Sequence, residues 1–181
     1  MPGYSKKNKN IGAIKKTNKL VINSIKSQPC KDCKIIYAPY CMDYDHINND
    51  KFGNVSQIIQ SVNSIKDILS EIDKCELVCA NCHRQRTHAR YLLKKSSIKL
   101  SNYKLYYINL KESNPCNICN KKYKYYQMDY DHLPGFKKLY NISRISNIEK
   151  LIEEIKKCQL LCANCHRAET HNRYNKGEKN V

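Results

Sequence analysis

Cys30, Cys33, Cys79 and Cys82 form two CxxC pairs, and Cys116, Cys119, Cys162 and Cys165 form two more. A CxxC pair turns both sulfurs toward one ion, and two such pairs close a tetrahedral thiolate shell around zinc. A closed shell has no open position for water, so the spacing predicts two structural zinc ions, Zn2+, rather than catalytic ones. Redox or disulfide chemistry is the competing use of CxxC, but paired and duplicated knuckles favour metal. Four thiolates leave net negative charge on each site, which the neighbouring Lys31, Lys34 and Arg84 can offset in the first. Cys75 and Cys158 precede the second knuckles and read as small buried core residues. Cys41 is matched by Gln127 and is not expected to be a ligand.

The remaining chemistry sits in Asp45, His46 and His83, and again in Asp131, His132 and His166. Imidazole is the side chain best suited to take a proton from water near neutral pH. Both groups belong to one long repeat. "PCKDC" matches "PCNIC", "MDYDH" occurs at Met42–His46 and Met128–His132, and "CANCHR" occurs at Cys79–Arg84 and Cys162–Arg167. Each repeat runs CxxC, DYDH, a variable stretch read as a loop, an amphipathic segment, then CANCHRxxTH.

The elements that must carry these residues are legible in outline. Ile65, Ile68, Leu69 and Ile72 predict a helix face, as do Ile148, Leu151, Ile152 and Ile155. The β-branched and Tyr-rich stretches "CKIIYAPYCMDYDH" and "CNKKYKYYQMDYDH" predict a hairpin ending at each His. Short helices are expected after each second knuckle. The organisation expected is a basic arm over 1–27, a first unit over 28–93, a linker over 94–114, a second unit over 115–175 and a tail over 176–181. The linker's "YKLYYINLKES" reads equally as strand or helix. Units of this size bury little apolar surface and commonly need a metal staple.

Thirty-three Lys and Arg against 16 Asp and Glu give a formal charge of +17, which points to a polyanionic partner, above all nucleic acid. No apolar run is long enough to span a bilayer, and the N-terminal stretch lacks the apolar core of a secretory signal. The expected setting is therefore a reducing, intracellular compartment with no membrane partner.

A DH pair before a loop and helix, flanked by zinc knuckles and followed by CH, resembles the HNH endonucleases over most of the chain. The resemblance implies an α+β chain of two tandem, zinc-stapled ββα-metal units. It implies general-base roles for His46 and His132 on a water that attacks the scissile phosphate. It also implies one catalytic divalent cation per unit, Mg2+ or Mn2+, held by Asp45 with His83 and by Asp131 with His166. The substrate would be double-stranded DNA, with RNA as a further possibility, cut by a monomer acting as an internal pseudo-dimer. A noncatalytic zinc protein that binds or packages nucleic acid is the alternative. His88 and His171 are not expected to be third ligands, because five residues of helix carry His88 well around from His83. Arg84, His88 and Tyr91 share a face that predicts packing or phosphate contact. The family's middle Asn, which braces the loop carrying the base, is replaced by Lys74 and Lys157. Asn81 and Asn164, or Asn54 and Asn141, are the candidates to take its place.

Overall fold

A computed structural model describes residues 3–48, 50–61, 64–95 and 99–177. The tail expected over 176–181 lies outside the described residues from 178 onward. The backbone separates into two compact units, Met1–Cys79 and Ala80–Val181, of mixed α and β structure.

The first unit begins with α1 (Gly3–Ile25) and a 3-10 turn at Pro39–Cys41, followed by β1 (Met42–His46), α2 (Val55–Gln60), α3 (Ile65–Ile72) and β2 (Cys75–Cys79). Residues 3–25 of the stretch read as a basic arm are thus helical. Ile22 of α1 packs with Val55, Ile58, Ile68 and Ile72 in the unit's core. Beyond it, the Lys26 ammonium donates to the Met42 carbonyl at 2.7 Å and lies over the Tyr44 ring. The stretch read as a loop contains α2. Ser64 caps α3 by accepting from the Asp67 N–H, and the predicted stripe turns inward with Ile68 and Ile72 buried.

The second unit runs α4 (Ala80–Leu93), α5 (Asn102–Ser113), a 3-10 turn at Tyr125–Gln127, β3 (Met128–His132), a second turn at Ile142–Arg144, α6 (Ile148–Ile155), β4 (Cys158–Cys162) and α7 (Ala163–Asn175). The stretch left open between strand and helix is α5. Its Lys111 donates to the Met128 carbonyl at 2.6 Å, as Lys26 does to Met42. Cys116, Met128, Leu160, Leu161 and Cys162 form the core.

The predicted hairpins do not form. β1 pairs antiparallel with β2, Met42 opposite Cys79 and His46 opposite Cys75, and β3 pairs likewise with β4. The knuckles explain this. Lys31 N–H donates to the Leu77 carbonyl and Asn117 N–H to the Leu160 carbonyl, each at 2.8 Å, so each first knuckle sits beside the second strand. The chain between knuckle and first strand is spent on a 3-10 turn and has no strand partner in reach. A two-stranded ladder is marginal alone; here the helices and thiol clusters hold it.

Candidate functional site

The four sulfurs of Cys30, Cys33, Cys79 and Cys82 lie within 4.8 Å of one another, as do those of Cys116, Cys119, Cys162 and Cys165. Tetrahedral zinc with Zn–S bonds of about 2.3 Å sets its sulfurs roughly 3.8 Å apart. The Cys119 and Cys162 sulfurs stand 4.0 Å apart, so the donor set fits zinc. Burial opposes charge on Cys30 and Cys116. Backbone N–H groups nevertheless hold both thiols down to about 7, Cys79 N donating to Cys30 Sγ and Cys162 N to Cys116 Sγ. Cys165 is pushed up by burial and by its neighbours Cys162 and Cys116, the repulsion that a cation at the centre would relieve. Cys75 and Cys158 stay outside the clusters, their sulfurs against the Glu71 and Glu154 carbonyls.

In the second unit, strand parity sorts the "MDYDH" residues. Asp129 and Asp131 are two apart and share a face of β3, and both meet α7. Asp129 Oδ2 lies 2.8 Å from His166 Nδ1. Asp129 also takes a bidentate pair from Arg84 at 2.9 and 2.7 Å. Burial opposes its ionisation, yet the His166 and Arg84 hydrogen bonds hold the carboxyl well below the usual carboxylate range. An ionised Asp129 can only accept, so Nδ1 of His166 carries a proton, and the neutral form of the ring presents its lone pair at Nε2. That Nε2 stands 3.6 Å from Asp131 Oδ1. Asp131 is itself held by Arg173 at 3.0 and 2.6 Å, and its Oδ2 accepts from Gln159 at 3.2 Å.

Two lone pairs facing each other across this gap suit a cation between them. Neighbouring ligands on an octahedral Mg2+ with bonds near 2.1 Å lie about 3 Å apart, so Asp131 and His166 fit with a small approach. A carboxylate behind a metal-binding His is the usual second partner of such sites. Asp45 lies buried in β1 of the first unit, and His83 lies on α4 of the second.

His132 is held by a different carboxylate. Its Nε2 meets Glu154 Oε1 at 2.8 Å, and His46 Nε2 meets Glu71 Oε1 at the same distance. Glu71 and Glu154 are 3% and 1% exposed. Burial opposes their charge, but Lys74 or Lys157, the His and two backbone N–H groups hold both carboxyls down to about 2. Those N–H groups belong to the loop after the first strand, Phe52 and Gly53 in one unit and Leu139 and Tyr140 in the other. The loop brace is therefore a glutamate, with Lys74 and Lys157 supporting it at 2.9 Å. The asparagine candidates are occupied elsewhere. Asn54 meets Gln57 and Lys51, Asn141 caps the turn at Ser143, the Asn81 side chain meets Cys162, and Asn164 Oδ1 accepts from the Asn81 backbone N–H.

A cavity of about 310 Å³ in the second unit is lined by Arg84, Lys111, Lys138, Asp129, His132 and His166, among others. Burial pushes the Lys111 ammonium down to about 8. His88 packs, as expected, stacked on Tyr126 with ring centroids 4.1 Å apart. Arg84 grips Asp129 instead of lying open for a phosphate.

Sequence reasoning missed Asp129, Glu71, Glu154, Arg173, Lys26 and Lys111. Signals existed for some of them. Asp129 stands two residues before Asp131, and Glu71 and Glu154 follow Ile68 and Leu151 by three, on the apolar stripe of each helix. No family model, no curated protein and no solved structure matches the chain.

Proposed function

We propose that the chain is a metal-dependent DNA endonuclease of the HNH type, with a ββα-metal site in each repeat. The observation that carries this reading is the second unit's cavity, where His132 and His166 line one space with the cations Lys111 and Lys138, Arg84 there being paired with Asp129. Such a space suits a phosphodiester, and each sheet followed by a helix from the second knuckle suits the fold.

In this reading the cationic wall draws the phosphate in, and His132 Nδ1 takes a proton from the attacking water. The water oxygen bonds to phosphorus as the P–O3′ bond breaks, and the leaving O3′ takes a proton from solvent water, giving 5′-phosphate and 3′-hydroxyl ends. Asp131 Oδ1 and His166 Nε2 would hold the divalent cation, with Asp129 fixing the imidazole. A bound Mg2+ or Mn2+ supplies Lewis-acid stabilisation of charge on the phosphate and leaving oxygen. His46 takes the base role for the first repeat.

The test is cleavage of supercoiled plasmid with Mg2+ or Mn2+ beside an EDTA control. His46→Ala combined with His132→Ala should lower the rate by about 10²–10⁴ while zinc content and DNA binding persist. Undiminished cutting by the double variant refutes the site. Tight DNA binding with no cleavage by wild type in either metal selects the noncatalytic packaging alternative.

A further inference from the structure

We propose that Glu71 and Glu154 are the positioning residues of the two base histidines, each fixing its imidazole as the Nε2–H tautomer and tying it to the loop that follows the strand. The catalytic part of this role rests on the nuclease reading; the tautomer does not.

The argument starts from one oxygen. Glu154 Oε1 lies 2.9 Å from the Leu139 N–H, 3.3 Å from the Tyr140 N–H and 2.8 Å from His132 Nε2. The first two are obligate donors, so this oxygen is an acceptor, and the third partner must also donate. His132 therefore carries its proton on Nε2, and Nδ1 holds the lone pair. The same three distances recur at Glu71 Oε1 with Phe52, Gly53 and His46. Nδ1 of either histidine has no hydrogen-bond partner among the described residues, which leaves it open to a water. Nε2 cannot serve as the base while it is donating.

The other carboxylate oxygen completes the device. Lys74 and Lys157 donate to Oε2 at 2.9 Å, and Lys74 also reaches the Asp50 carbonyl at 3.2 Å. The carboxylate cannot rotate without losing donors on both sides. Loop, imidazole and helix are thereby tied through one buried group in two stretches whose loops differ in sequence and length. In serine proteases an aspartate sets the tautomer of the base histidine in the same manner.

Two readouts test this on the full-length, zinc-loaded protein. Two-bond 1H–15N correlation spectra of wild type should show His46 and His132 as Nε2–H tautomers, assigned by loss of signals in His46→Asn and His132→Asn. Finding Nδ1–H tautomers overturns the proposal. Glu71→Ala with Glu154→Ala should release both rings into mixed tautomers and lower kcat by about 10²-fold, with KM changed less than about threefold. Glu71→Gln with Glu154→Gln keeps an acceptor at the same place, so it should retain the tautomer and recover part of the rate. It also serves where the alanine variant fails to fold. Wild-type kcat in the alanine variant, or a tautomer unmoved by it, sinks the positioning role. If wild type cuts nothing, the nuclease reading falls while the spectra still decide the tautomer.

Discussion

Arg84 stands in the first copy of "CANCHR" and closes a bidentate ion pair on Asp129 in the second copy of "MDYDH", at 2.9 and 2.7 Å. Asp129 in turn holds His166 Nδ1 at 2.8 Å. A residue of the first repeat thus supports the proposed cation ligand of the second. The α4 helix carrying Arg84 belongs to the second unit, with Asn81 N–H donating to Asn164 Oδ1 and the Gln127 amide to the Asn81 carbonyl. The helix that carries the first copy of "CANCHR" is thus built into the second unit.

Asp129→Asn should therefore weaken Mn2+ at the proposed Asp131–His166 site by about 10–100-fold, the usual effect of removing the partner behind a metal-bound His. Arg84→Met should act in the same direction and less strongly. Electron paramagnetic resonance titration of zinc-loaded protein with Mn2+ measures both. Wild-type affinity in Asp129→Asn would mean that His166 needs no such support.

Zinc should be present at two ions per chain in protein purified under reducing conditions. Elemental analysis checks the stoichiometry. Cys82→Ser and Cys165→Ser should each release one zinc and unfold local structure, because metal binding in so small a core is folding free energy. A folded, zinc-free wild type would refute the staple.

The buried glutamates predict a specific acid sensitivity. Their folded-state pKa of about 2 lies below the ordinary 4.5, so the unfolded chain binds more protons as pH falls. Their contribution is fully present above about pH 4.5 and is lost as pH falls toward 2. The stability gap between wild type and the Glu71→Gln, Glu154→Gln variant should therefore shrink across that window in denaturant melts. A constant gap would show that the charge contributes nothing.

On the proposed reading, which gives each repeat one base histidine, His46→Ala and His132→Ala singly should convert linearisation of supercoiled plasmid into nicking. Gel assays separate nicked from linear product. One dead and one fully active single variant would assign catalysis to a single repeat.

Much of the architecture was legible because its determinants are local. The CxxC spacing fixes the thiol clusters, the stripe Ile65, Ile68, Leu69 and Ile72 fixes α3, and the copied motifs fix the duplication. Parity alone would have put Asp129 beside Asp131. What only the tertiary structure decided depends on partners far apart in the chain. Strand pairing passed over the local hairpin because each first knuckle hydrogen-bonds the later strand. The loop brace went to Glu71 and Glu154 rather than an asparagine because a buried carboxylate can gather a histidine, a lysine and two loop N–H groups at once. Arg84 went to Asp129 because helix packing set a cation beside a half-buried carboxylate that needed one. Short-range periodicity and spacing are written in the sequence; which distant donor satisfies which buried acceptor is settled only when the chain has closed around them.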